Sequence, residues 1–202
     1  MSKAYDRVEW DFIETIMKKI GFDEKWIVNI MNCVFSVKYT VKCNNVLLDI
    51  IIPERDLRQG DPLSPYLFLF CMEAFSRMLI QAQDNNILGG IRSSRNGPRI
   101  NHLFFANDAL LFVRNKKCDV EMLVNMFNIF SNISGQEINV EKSMVLFSPD
   151  TLRAQRNIFS DLLGMTVVEN LNNYLDLPIP IRKKKATAFK ETNNRLSCRI
   201  NS

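Results

Sequence analysis

No run of eighteen or more apolar residues occurs in the 202-residue chain, so no stretch reads as a membrane-spanning helix. The opening "MSKAYDRVEWDF" is charged within its first residues and lacks an apolar core, which argues against a secretory signal. Cysteine is sparse and scattered: Cys33, Cys43, Cys71, Cys118 and Cys198 form no C-x-x-C pair, and their number is odd. That speaks against a zinc site and for reduced thiols in an intracellular protein, with nothing to choose between nucleus and cytoplasm. Histidine occurs once, at His102, with no acidic or cysteine cluster around it, so a structural role is expected. Repeats and low-complexity linkers are absent too.

What is present is a globular composition, 47% hydrophobic and 24% charged. A net charge of +4 is mildly basic; it permits a nucleic-acid partner without demanding one. The length suits one domain, or a large piece of something bigger.

Periodicity divides the chain. "DFIETIMKKIGF" sets Ile13, Ile16, Met17 and Ile20 at helical spacing before Gly21, and "DEKWIVNIMNCVF" repeats the pattern with Ile27, Ile30, Met31 and Val34. "VKYTVKCNNVLLDIII" is β-branched and centred on Asn44-Asn45, which predicts a hairpin. A Gly60-containing loop follows, then Ser64-Pro65 as N-cap and first turn of a helix through Leu67, Phe68, Cys71, Phe75, Met78 and Leu79. A turn at Asn96-Gly97 leads to two strands, then a helix on Val120, Leu123, Val124, Phe127 and Phe130 that stops at Gly135. "INVEKSMVLFS" predicts a strand, "TLRAQRNIFSDLLGM" a helix, "NYLDLPIPI" a short extended piece and "RKKKATAFKETNNRLSCRI" a basic helix. The order predicts an α+β fold, an antiparallel sheet with helices on one face.

One stretch asks for more than a fold. In "FFANDALLF", residues 104–112, a polar Asn107-Asp108 pair interrupts two apolar runs. Asn and Asp bond their own backbone and tolerate positive φ, so the pair predicts a hairpin tip. A carboxylate on such a tip is also a place to grip a hard cation.

Three blocks, "SKAYDRVEW" near the start, "LRQGDPLSPYLF" at 57–68 and "HLFFANDALLF" at 102–112, together resemble successive motifs of a reverse transcriptase. The type they are most similar to is that of plant non-LTR, LINE-type retrotransposons. "SGQEINVEKS" at 134–143 and "YLDLPI" at 174–179 resemble the next two motifs, in the family's order. The resemblance implies a polymerase palm over residues 1–180 and the start of a thumb or connection segment over 181–202. It implies RNA-directed DNA polymerisation with two Mg²⁺ ions, an RNA template, a DNA primer and deoxynucleoside triphosphates as partners, and a parent polyprotein that supplies fingers and thumb. Phosphoryl transfer is mostly positioning and charge neutralisation, which is why carboxylates gather at such sites.

On this resemblance Asn107 and Asp108 stand at the paired acids of the hairpin, with Asp108 the metal ligand, and Lys142 matches a lysine that donates a proton to the leaving pyrophosphate. Tyr5 matches the aromatic that lies against the nucleotide sugar; Arg58, Gln59 and Gly60 match the nucleotide and template loop. Tyr174, Leu175, Asp176 and Leu177 match the primer grip, with Asp176 where glycine is usual. Two departures bear on activity. Asn107 replaces the first acid of the pair, and the first motif's aspartate would fall immediately before Met1. Asp6 does not replace it, because alternation along a strand would turn it to the opposite face. A charge pair at about 4 Å is worth on the order of 4 kcal/mol at an effective dielectric near 20, and about 1.4 kcal/mol is tenfold in rate. The chain is therefore expected to polymerise poorly, the alternatives being a non-catalytic nucleic-acid-binding palm or a decayed element product. The basic run Arg182 to Lys185 reads first as a solvated face and second as a contact to duplex phosphates.

Overall fold

The computed structural model describes residues 1, 3–92 and 94–169. The chain divides into two compact units, Met1–Asn139 and Val140–Ser202. Among the described residues no helix is long and apolar enough to cross a membrane.

The first unit is built on four helices. Helix α1, Trp10–Ile20, buries Phe12, Ile13 and Met17 and ends at Gly21, whose φ of 96° lets its N–H reach the Met17 and Lys18 carbonyls. Helix α2, Glu24–Phe35, is capped by Asp23 and buries Ile27, Met31 and Val34. Helix α3, Ser64–Asp84, is the central element and buries Leu67, Phe68, Cys71, Met72, Phe75 and Leu79. Its cap differs from the expected one. Leu63 is the N-cap, its N–H bonded by the Asp61 carboxylate at 2.7 Å, and Ser64 is already helical and buried. Asp61 thus holds the residue ahead of the first turn, and no side chain caps the helix itself. Helix α4, Lys117–Ser134, presents Val120, Leu123, Met126 and Phe130 inward. The rings of Phe75 and Phe130 stack at 4.7 Å, and Phe12 meets Phe130 edge-on at 6.2 Å.

Strands in this unit are short. β1, Lys42–Cys43, and β2, Val46–Leu47, close over Asn44 and Asn45, both at positive φ as a type I′ turn requires. Leu48 still bonds the Val41 carbonyl, but Tyr39 pairs with Ile51, so the second strand carries one extra residue between these points, a bulge at 49–50. β3, Ile91–Arg92, pairs with β4, Arg99–Ile100, and β5, His102–Phe105, with β6, Asp108–Leu111. In the second unit, β7, Met144–Leu146, and β8, Thr166–Val168, run parallel, with helix α5, Arg153–Leu163, as the crossover.

The mixed α and β content matches expectation, but the expected single antiparallel sheet is absent from the described residues. They hold four separate two-stranded ladders, one of them parallel. The parallel pair follows from the α5 connection, since parallel strands need a crossover where a hairpin turn would suffice for antiparallel ones. Nor is the segment around Tyr5 a strand. Residues 4–7 form a turn, with Lys3 at a φ of 45°, because the backbone there is bonded by loops on either side rather than by a neighbouring strand.

Candidate active site

The segment at residues 4–9 is the hub on which the separated sequence blocks meet. From the loop ahead of α3, the Leu57 N–H bonds the Tyr5 carbonyl at 3.0 Å and the Asp56 N–H bonds that of Val8 at 3.2 Å. From the end of α4, the Gln136 side-chain amide donates to the Ala4 carbonyl at 2.8 Å, and the Ser134 carbonyl accepts from the Glu9 N–H at 3.2 Å. Arg7 pairs with Glu137. Gly135 permits this seam, since its φ is 74° and a Cβ there would strike the Arg7 carbonyl. From the third direction comes the β5–β6 hairpin, where the Met1 amino group donates to the Asn107 carbonyl at 3.0 Å. Burial lowers the pKa of that amino group, against the opposing pull of the Asp108 charge.

The hairpin itself is a two-residue turn. Phe105 pairs with Asp108, so the tip is Ala106-Asn107, and Asp108 is the first residue of the returning strand. The positive φ, 49°, falls on Ala106 and not on the Asn-Asp pair expected to take it. A turn of this length needs its left-handed residue first after the outgoing strand, and that position holds alanine. The hairpin is mounted on α3 by three contacts. Asn101, buried, donates to the Leu79 carbonyl at 2.8 Å, the His102 ring lies 2.8 Å from Ser76 Oγ, and Phe104 stacks on Phe75 at 5.6 Å. Asn101 Oδ1 can only accept, so His102 Nδ1 carries a proton toward it at 2.6 Å and Nε2 accepts from Ser76. Burial lowers the histidine pKa, with Glu73 opposing, so the neutral ring is favoured. The structural role expected of His102 is therefore specific: it pins β5 to the central helix.

Of the residues singled out from sequence, Tyr5 lies with its ring 5.2 Å from that of Phe68, and Gln59 donates to Asp6 at 3.0 Å. Arg58, Gln59 and Gly60 are exposed, Gly60 at a φ of 87° with open space beside it. Asp6, expected to face away along a strand, is instead turned toward the loop and holds Gln59. Lys142 belongs to the second unit, in the 3₁₀ turn Val140–Lys142. Tyr174, Leu175, Asp176, Leu177 and the basic run at 182–185 lie outside the described residues.

Sequence reasoning passed over Asp56. It occupies a φ of 111°, a region natural to glycine, in a pocket of about 30 Å³ lined by Trp10, Tyr39, Arg58 and Leu67 among others. Tyr39 donates to one carboxylate oxygen at 3.1 Å while the other is buried without a hydrogen-bond partner. Burial raises its pKa, despite the tyrosine bond. The volume suits a water or two and nothing larger. A lone Asp before "LRQG" gave no signal of its own.

As a metal centre the arrangement is short of donors. Asp108 offers one exposed carboxylate and Asn107 an amide, and among the described residues no group of three or more His, Cys, Asp or Glu is placed to hold an ion. Two divalent cations need several carboxylate oxygens, so the donors among the described residues do not fit a two-metal site.

A family profile described as reverse transcriptase (RNA-dependent DNA polymerase) matches residues 1–189. The chain is 49% identical over 76 residues to an uncharacterized mitochondrial protein of Arabidopsis thaliana, covering 38% of this chain and 61% of the relative. It is 28% identical over 143 residues to a retrovirus-related Pol polyprotein from type-1 retrotransposable element R2 of Popillia japonica. A third relative, the corresponding polyprotein from type-2 element R2DM of Drosophila melanogaster, is 25% identical over 145 residues. These matches take in 70% of this chain but only 19% and 13% of the two polyproteins.

Proposed function

The chain belongs to the reverse transcriptase family, and from that premise we propose that it forms the palm of a non-LTR, LINE-type element's polymerase, able to hold template and primer but impaired in nucleotide addition. One observation carries the reading: the β5–β6 hairpin brings Asn107 and Asp108 against the segment that begins at Met1, with Tyr5 and the Gln59 loop on the same segment. In this reading Tyr5 sits under the nucleotide sugar, Gln59 and Arg58 meet nucleotide and template, and Lys142 serves the leaving group. Of the paired positions only Asp108 would offer a carboxylate to a Mg²⁺ ion, which would supply charge neutralisation at the reacting phosphates.

Primer extension on an RNA template with Mg²⁺ or Mn²⁺ tests the proposal. Purified protein is expected to extend no primer above background. Asn107→Asp is expected to bind Mn²⁺ more tightly in an electron paramagnetic resonance titration and to gain template-dependent extension. The added carboxylate is worth about three powers of ten in rate by the Coulomb estimate of about 4 kcal/mol. Extension by the unaltered chain that Asp108→Ala abolishes would refute the impairment.

A further inference from the structure

Between Asn85 and Asn107 the chain holds no Asp or Glu, yet it carries three arginines, Arg92, Arg95 and Arg99. All three are exposed and all belong to the β3–β4 hairpin. Arg92 and Arg99 are direct cross-strand partners. Like charges placed opposite each other weaken a ladder by roughly 0.2–1 kcal/mol, so the pairing is unfavourable unless an anion lies between them. Arg92 Nη1 donates to the Arg95 carbonyl at 3.3 Å, which folds its guanidinium over the turn toward the third arginine. None of the ion pairs among the described residues involves these side chains.

The neck of this hairpin is fixed. A Cβ on Gly90 would collide with the Ile100 carbonyl, so the strands approach closely there. Gly89 donates its N–H to buried Asp119 at 3.0 Å and accepts from the Arg114 N–H at 3.2 Å. Beyond Ile100 the chain passes through buried Asn101 straight into β5, the strand that ends at the Ala106-Asn107 tip. The charged hairpin thus stands on a fixed neck, one residue from the strand that leads to the candidate site's turn.

We propose that Arg92, Arg95 and Arg99 form a clamp on the phosphate backbone of a nucleic-acid duplex. This rests on the palm reading above. Guanidinium forks match phosphate oxygens bidentately. The tip, Ser94, Arg95, Asn96 and Gly97, offers no aromatic for base stacking and no large apolar residue for a bilayer. The contact is therefore independent of base sequence.

Fluorescence anisotropy of a labelled RNA–DNA hybrid over a salt series tests it, since each phosphate contact contributes about 0.9 to the slope of log affinity against log salt. Arg92→Gln/Arg95→Gln/Arg99→Gln is expected to lower that slope by about 2–3 with a melting temperature no lower than that of the wild type, and the matching triple lysine variant to keep most of the slope. Arg95→Gln alone, on the turn, is expected to lower it by about 0.9 without touching either strand. A duplex-binding wild type whose slope the glutamines leave unchanged overturns the clamp and spares the palm reading. A wild type that binds no duplex at any salt overturns both. Equal loss of affinity for phosphatidylserine vesicles and for duplex also overturns it, by making the hairpin a general anion surface.

Discussion

Asp56 and Ala106 are two residues out of keeping with their backbone. At a φ of 111° Asp56 stands where glycine is at ease, and one of its carboxylate oxygens is buried without a partner. Strain of this kind costs on the order of 1–3 kcal/mol. Asp56→Gly is expected to raise the melting temperature by about 2–4 °C for each kcal/mol recovered, even after losing the Tyr39 bond. Asp56→Ala, which keeps the strained φ, is expected to give no such rise; equal gains in calorimetry from both variants would sink the explanation. Ala106→Gly at the hairpin tip, where φ is 49°, is expected to stabilise by about 1 kcal/mol in urea unfolding. Neither residue stood out in the sequence, because a φ is set by long-range bonds. For Asp56 these run from its N–H to Val8 and from Trp10 Nε1 to its carbonyl, partners far away along the chain.

The helices were legible element by element, since Gly21, Gly135 and Gly164 all stop their helices in the left-handed conformation and the apolar spacing marks the buried faces. The β5–β6 hairpin was legible too, to within one residue of its tip. What local pattern could not show is how the hairpin is mounted. Ser76, Asn101 and His102 carry no periodic signal, yet they join β5 to α3. That joint makes a pH prediction. Burial favours the neutral ring of His102 and lowers its pKa below the ordinary 6.5. The unfolded chain then binds the extra proton first as pH falls, so the joint's stability is full above about pH 6.5 and declines below it, down through the lowered value. Melting temperatures measured from pH 8 to 5 are expected to fall less in His102→Gln than in wild type over that window. Identical pH slopes would show that His102 does not titrate against folding.

For the molecule as a whole, the apolar residues that have no cover matter most. Val46, Leu47, Leu48, Ile50, Ile51 and Ile52 are each more than half exposed, and Asp49 is the only charge among them. Apolar strands this bare mark contact or association surfaces. Leu47→Lys/Ile52→Lys is expected to reduce concentration-dependent association in sedimentation velocity, with helix content retained by circular dichroism. Sequence alone marked these residues as a strand but not as an uncovered one, because exposure depends on which neighbours the fold supplies.

The placement of Met1 against the Asn107 carbonyl has a practical side. A purification tag fused at the amino end would set its last residue beside the Ala106-Asn107 turn and swap an ammonium for a neutral amide near Asp108. Binding constants from such fusions would describe the tag as much as the protein, so a carboxyl-terminal label is the sound choice for every titration above.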